Sequence, residues 1–287
     1  MVKKLIKYDF RSYMRLLLPV QLIVIGFALI NRFIQLFEPS FTNRVSRFFF
    51  FGMYYGSEST SKVYDGIFTS SLVLYFISIA VCLLMTVIVA IVRFYQGMYS
   101  NEGYLSHTLP VTASQHITAK LLTSILFTFG SLLAVFLSFM LITVGELNIE
   151  IFKAAVYLLG KLISEYGFNI ALYILEFAVL IILYFFRLYL KLYCCLSVGQ
   201  LAKKRKILSA FGVFFGIYVV KQIISTVFII MMTVNLDLME RIGEWISDHY
   251  VSFFHILFCG GILFYAIVMI VYFFVNRYMM SKRLNLT

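Results

Sequence analysis

Side chains that could do chemistry are sparse in this 287-residue chain, and they form no catalytic pattern. The sequence contains no GxxxxGK[ST] phosphate-binding loop, no HExxH zinc motif and no GxSxG nucleophile motif. The cysteines lie in or beside apolar runs without metal-site spacing, which is typical of small hydrophobic side chains: Cys82, Cys194, Cys195 and Cys259. We therefore expect no metal site, no cofactor and no catalysis by this chain alone.

Two charged residues lie deep in long apolar runs, Glu176 in the run at 167–190 and Lys221 in the run at 208–234. A charge in the centre of an apolar helix in lipid costs about 2.5–3.5 kcal/mol, so such groups usually pair or face water. The two helices should be antiparallel neighbours, and counting ~1.5 Å per residue from their outer ends places both side chains at similar depth. We predict an inward-facing ion pair. It is either a static link between two helices or a functional polar group, on a substrate path or at a dimer interface.

The composition predicts that the solvent of these runs is lipid. The chain is 62% hydrophobic and 13% charged, whereas soluble domains are about 45–50% apolar and about 25% charged. A net charge of +11 would suggest nucleic-acid binding in a soluble protein. Here the positive-inside rule explains it better, so we expect an all-α integral membrane protein with no nucleic-acid partner.

Long apolar runs define about six predicted membrane spans, each able to supply the ~20 residues that a spanning helix needs. They are too long, and not alternating enough, for strands of a β-barrel. All of them belong to one predicted domain, residues 1–287. The predicted spans are 16–37, 67–93, 119–144, 167–190, 208–234 and 251–275.

Charge predicts which ends of the spans face the cytosol. Lysine and arginine collect in the N-terminus, near 94–118, near 191–207 and in the C-terminus, so we place these four segments, and both termini, inside. Residues 1–15 carry basic side chains every four positions, which predicts an amphipathic helix at the membrane surface: Lys3, Lys7, Arg11 and Arg15. On the outer side, 146–166 and 236–250 have the periodicity of short amphipathic helices.

The longest polar interruption in the first half of the chain is Glu102 to Leu122, EGYLSHTLPVTASQHITAKLL. It starts with a turn signal, and Leu109-Pro110 breaks any continuing helix, because proline removes a donor and disfavours helix before it. Thr112 and Gln115 then fit a capping box that starts a new helix into the third span. The pattern predicts a turn, a short helix, a break and a fresh helix, or alternatively an ordinary interfacial loop.

Three segments resemble the ABC-2 type permeases common in Gram-positive bacteria. Glu102 to Leu122 is similar to their GYL…TLPV…K stretch, YCCLSVGQLAKKRKIL (193–208) to their SIGQL…K connection, and KRLNL (282–286) to their KKLNL ending. The number and orientation of predicted spans agree as well. One departure is the basic cluster at 203–206, where the family usually has a His–Lys pair.

The resemblance implies the transmembrane subunit of an ABC transporter in the bacterial plasma membrane, working with a second permease chain. ATP and magnesium would be bound by a separate ATPase subunit. Residues 1–15 would be the elbow helix, and a coupling helix between spans 2 and 3 would dock on the ATPase through Glu102, Gly103, Tyr104, Leu105, Leu109 and Pro110. The second cytosolic loop would contribute Gly199, Gln200, Lys203, Lys204, Arg205 and Lys206.

The family likeness implies an exporter of a hydrophobic or amphipathic substrate such as a peptide antibiotic, a lipid or a drug. Two other classes stay open from the residues alone. One is a membrane sensor or scaffold that partners an ATPase without transporting, and the other is an ion-coupled carrier that uses Glu176 and Lys221. Neighbouring genes and the energy source of any flux would separate these classes.

Overall fold

The computed structural model describes residues 2–36, 62–100, 103, 111–143, 146–202 and 204–282. In these ranges the chain is helical and contains no strand, which confirms the predicted all-α class for the described residues. The helices are α1 Val2–Leu36, α2 Lys62–Tyr99, α3 Ala113–Ile142, α4 Glu146–Tyr166, α5 Asn169–Gly199, α6 Lys206–Val234, α7 Leu236–Asp248 and α8 Tyr250–Lys282.

Six of these helices are long and apolar enough to cross a membrane, which confirms the predicted number of candidate spans. They are α1, α2, α3, α5, α6 and α8. Several extend beyond the apolar runs, because intrahelical hydrogen bonds continue where the side chains turn polar. The segments 94–99 and 191–199, predicted as loops, are therefore the last turns of α2 and α5. The amphipathic patterns at 146–166 and 236–250 form α4 and α7.

Helix α1 is continuous from Val2 to Leu36, so the predicted surface helix and the first span are one helix. Pro19 lies inside it. Proline lacks the N–H that would bond to the carbonyl four residues earlier, which makes this position the natural place for a bend. The predicted surface helix is therefore the first part of α1.

One compact unit of the chain consists of Lys3–Arg93 and Leu122–Lys161. Its helices are joined by hydrogen bonds between buried polar side chains, the kind of contact that links helices where no water competes. The bonded pairs are Tyr13–Ser124 at 2.8 Å, Gln21–Ser131 at 3.0 Å, Ser71–Asn31 at 3.1 Å, Tyr75–Ser138 at 2.9 Å and Thr86–Ser131 at 2.8 Å. These bonds specify the rotation of α1, α2 and α3 about their axes.

The other unit contains Met1–Val2, Phe94–Leu121 and Leu162–Thr287, and it holds every described residue of both predicted cytosolic loops. In this unit α5 packs along α8 and α6. Helix α6 approaches α5 closely at Gly199, where an added Cβ would lie 2.7 Å from the Cα, Cβ and N of Ala210. Glycine is therefore required at the end of α5.

Candidate functional site

The predicted coupling segment is described at its two ends. Glu102, Tyr104, Leu105, Leu109 and Pro110 lie outside the described residues, whereas Gly103 is described and buried. Its N–H donates to the carbonyl of Ser100 at 2.7 Å. A Cβ on Gly103 would lie 2.7 Å from the backbone C and O of Met98, so only glycine lets the chain return this closely onto α2.

The far end of the segment is a helix cap at Thr112. The Thr112 N–H donates to Oε1 of Gln115 at 3.1 Å, and the Thr112 carbonyl accepts from the N–H groups of Gln115 and His116 at 3.0 and 3.2 Å. These bonds confirm that a helix starts here, as predicted. They also confirm one of the two bonds of the predicted capping box, the one from the Thr112 N–H to the Gln115 side chain. The Thr112 hydroxyl lies 3.1 Å from the Ser114 hydroxyl and not against a backbone N–H.

We call five buried residues of this compact unit the anchor core: Phe94, Met98, Ile117, Tyr193 and Asn276. The Phe94 and Tyr193 rings stack with centroids 3.8 Å apart and planes 6° apart. The Tyr193 hydroxyl donates to the carbonyl of Lys120 at 3.5 Å. The last turn of α2 and the first turns of α3 are thereby attached to α5.

A chain of hydrogen bonds extends the anchor core to α8. The Tyr99 hydroxyl donates to Oγ of Ser197 at 2.8 Å, and Ser197 donates to Oδ1 of Asn276 at 2.9 Å. Asn276 Nδ2 donates in turn to the carbonyls of Leu190 at 3.1 Å and Tyr272 at 2.9 Å. Such a buried network joins the last turn of α2 to α5 and α8.

Of the residues predicted in the second cytosolic loop, some are packed against other residues and some are exposed. Gly199 is the last residue of α5 and is buried, and Gln200 caps the helix with its N–H on the carbonyl of Leu196 at 3.1 Å. Lys204 and Arg205 are exposed, and Arg205 has a left-handed backbone with φ of 55° where α6 begins. Lys206 starts α6, and Lys203 lies outside the described residues.

Glu176 is paired with His255 of α8. Its Oε1 lies 2.8 Å from Nδ1 of the imidazole, and the Sγ of Cys259 donates to the same oxygen at 3.7 Å. The Tyr173 ring packs on the imidazole with centroids 4.4 Å apart. This arrangement places a carboxyl and an imidazole within hydrogen-bond distance of each other on two neighbouring helices.

The predicted Glu176–Lys221 pair is not formed within the described part of the chain, where Lys221 is exposed and makes no ion pair. The cause is the register of α5 and α6. Gly199 lies against Ala210, and Lys191 Nζ lies 4.3 Å from the centroid of the Phe214 ring. These contacts place Lys221 level with residues 184–188 of α5, about 12–18 Å along the helix from Glu176 at ~1.5 Å per residue.

We expect Glu176→Ala and His255→Ala to be non-additive, with a coupling energy of about 1–2 kcal/mol, because each substitution strands the same partner. The measurement is the free energy change of each variant, from the fraction of detergent-solubilised protein that stays monodisperse after heating. Glu176→Ala with Lys221→Ala is the matched control, and it should be additive within about 0.5 kcal/mol. Additive effects at Glu176 and His255 would refute the pairing.

Comparisons with protein-family models, curated proteins and solved structures found no match to this chain.

Sequence analysis identified the ends of the coupling segment but missed the residues that hold them. Asn276 and Ser197 are buried polar residues at the polar ends of apolar helices, a signal that could have been noticed in the sequence. Tyr193 and Phe94 carry no such signal, since aromatic residues are abundant throughout the chain. His255 was not identified as the partner of Glu176, because the two residues lie 79 positions apart in the sequence.

Proposed function

We propose that this chain is the transmembrane permease subunit of an ABC-2 type exporter in a bacterial plasma membrane, with both termini cytosolic. A separate ATPase subunit would bind ATP and magnesium, and a second permease chain would complete the transporter. The substrate would be hydrophobic or amphipathic. The motif resemblance is the origin of this proposal, and the anchor core is the observation that supports it best.

The support is mechanical. The segment that resembles the coupling helix starts at the Ser100–Gly103 turn and ends at the Thr112 cap, both with defined backbone hydrogen bonds. A force applied between these ends passes to α2 and α3, and through the Phe94–Tyr193 stack to α5. A rigid attachment of this kind transmits a rigid-body movement, whereas a slack loop would absorb it.

The test of transport is ATP-dependent flux of a labelled hydrophobic peptide, lipid or dye in vesicles that hold this chain and a candidate ATPase partner. We expect flux that stops when the ATPase phosphate-binding lysine is substituted, because the partner supplies all of the driving energy. Flux that continues unchanged with the inactive ATPase would refute the exporter.

We expect Tyr104→Asp or Leu105→Asp to abolish co-purification of the ATPase while the chain still inserts in the membrane, because a carboxylate in an apolar docking pocket is left without a partner. The measurement is pull-down from solubilised membranes. Thr112→Asp is the matched control, since it adds the same charge at the cap, where aspartate is also favoured. If both docking variants pull down the ATPase at the wild-type level, the assignment of this segment as the docking site is wrong.

A second candidate, a proton-coupled carrier, is favoured by the Glu176–His255 pair on two candidate spans. In that case flux would follow an imposed pH gradient without ATP, and Glu176→Gln would remove it. Flux into the same vesicles, driven once by ATP and once by the pH gradient, therefore distinguishes the exporter from the carrier.

A further inference from the structure

Arg187 on α5 lies over two neighbouring tyrosine rings. Its guanidinium carbon lies 4.5 Å from the centroid of the Tyr265 ring and 5.4 Å from that of Tyr184. Aromatic faces attract a guanidinium through its charge and leave its N–H edge free for hydrogen bonds. The Nε of Arg187 is nevertheless buried and has no hydrogen-bond partner among the described residues.

Two further cations lie near Arg187. Lys191 is one helical turn further along α5, so it shares the same face, and its ammonium lies over the Phe214 ring of α6. Lys221 is two helical turns beyond Phe214 on the same face of α6, and the register of the two helices places it level with residues 184–188 of α5. Three like charges are therefore gathered where α5 faces α6 and α8.

No acidic side chain balances this group. Glu176 is the only carboxylate in the sequences of α5, α6 and α8, and it is engaged with His255. In the described part of the chain no ion pair involves Arg187, Lys191 or Lys221. Uncompensated cations in apolar helices are unfavourable, which makes such groups markers of binding sites.

We propose that Arg187, Lys191 and Lys221 form a binding site for the phosphate group of an anionic ligand. A phosphate accepts several hydrogen bonds and suits a guanidinium fork with a neighbouring ammonium. The Nε–H of Arg187, which has no hydrogen-bond partner among the described residues, would donate to a phosphate oxygen. The exposed Lys221 ammonium closes the site from α6.

The site lies well inside the candidate spans. At ~1.5 Å per residue, Arg187 is about 18 Å and Lys191 about 12 Å along α5 from its end at Gly199. The phosphate can belong to the headgroup of an amphiphile that enters along the exposed side of α6, or to a free anion that enters with water. This inference concerns binding alone and does not depend on the proposed transport function.

The experiment is a titration of the full chain, purified in neutral detergent, with phosphatidic acid or phosphatidylcholine of the same acyl chains, followed by native mass spectrometry. We expect phosphatidic acid to bind about tenfold more tightly than phosphatidylcholine, because only its phosphate is unshielded by choline. Arg187→Gln and Lys221→Gln should each remove most of this preference. Lys153→Gln, an exposed lysine of α4, is the matched control and should keep it.

Lys221→Gln keeps the proposal testable if Arg187→Gln reduces the yield of folded protein, because Lys221 is exposed. Competition with inorganic phosphate separates the two sources. Displacement of phosphatidic acid by millimolar phosphate supports a free-anion site, and resistance to it supports a headgroup site. Equal binding of both lipids by the wild type, or an unchanged preference in Lys221→Gln, would overturn the proposal.

Discussion

Gly199→Val is expected to destabilise the protein by more than about 3 kcal/mol and to remove most of the monodisperse protein recovered after solubilisation. A side chain at this position has no room, since even its Cβ would lie 2.7 Å from the backbone of Ala210. The obstacle is helix backbone, which cannot step aside as a flexible side chain can. The end of α5 and the start of α6 would have to separate.

The measurement is the fraction of protein that elutes as a single species before and after heating. Gly216→Ala is the matched control, because it is also a glycine near this pair of helices but a Cβ there meets nothing within 4 Å. It should be neutral or stabilising by up to about 1 kcal/mol, from the higher helix propensity of alanine. A Gly199→Val protein as stable as the wild type would show that α5 and α6 do not approach this closely.

Asn276→Leu is the second change with a large expected effect, a loss of about 2–4 kcal/mol. Asn276 is fully buried and makes three hydrogen bonds, to the hydroxyl of Ser197 and to the carbonyls of Leu190 and Tyr272. Leucine has a similar branched shape but cannot accept from the Ser197 hydroxyl or donate to the Leu190 carbonyl. A buried polar group that loses its partner costs about 1–3 kcal/mol.

The control for Asn276→Leu is the double variant with Ser197→Ala. The double variant should lose less than the sum of the two single effects, because the hydrogen bond between Ser197 and Asn276 is lost in each single variant but only once in the double. The readout is the midpoint of thermal aggregation, which should fall by about 5–10 °C in the single variant. A double variant that loses the full sum of the two single effects would contradict the hydrogen bond between Ser197 and Asn276.

Both substitutions also bear on the coupling proposal, since they act at the attachment of the predicted docking segment. Asn276→Leu would loosen the link from Tyr99 at the end of α2 through Ser197 to α8. If the segment transmits movement through this link, the solubilised variant would still bind the ATPase but couple its turnover to flux less well. Binding without coupling is the signature that separates the anchor core from the docking surface.

Local features of the structure were predictable from the sequence. Hydropathy and helical periodicity depend on one segment at a time, which is why six apolar helices and the amphipathic α4 and α7 were predicted correctly. The start of α3 was predictable for the same reason, since its cap is made by Thr112 and Gln115, three positions apart. The ends of α2 and α5 were less predictable, because both helices continue into polar residues that pack in the anchor core.

Only the tertiary structure decided which side chains pair with each other across helices. The sequence placed Glu176 and Lys221 at similar depth, but the close approach of Gly199 to Ala210 shifts the register of α5 and α6 and leaves His255 beside the carboxylate. Asn276 and Ser197 became partners in the same way, across 79 positions of chain. The composition of each helix determines that it forms and where it can lie, whereas its register and rotation depend on contacts with other helices that no single segment encodes.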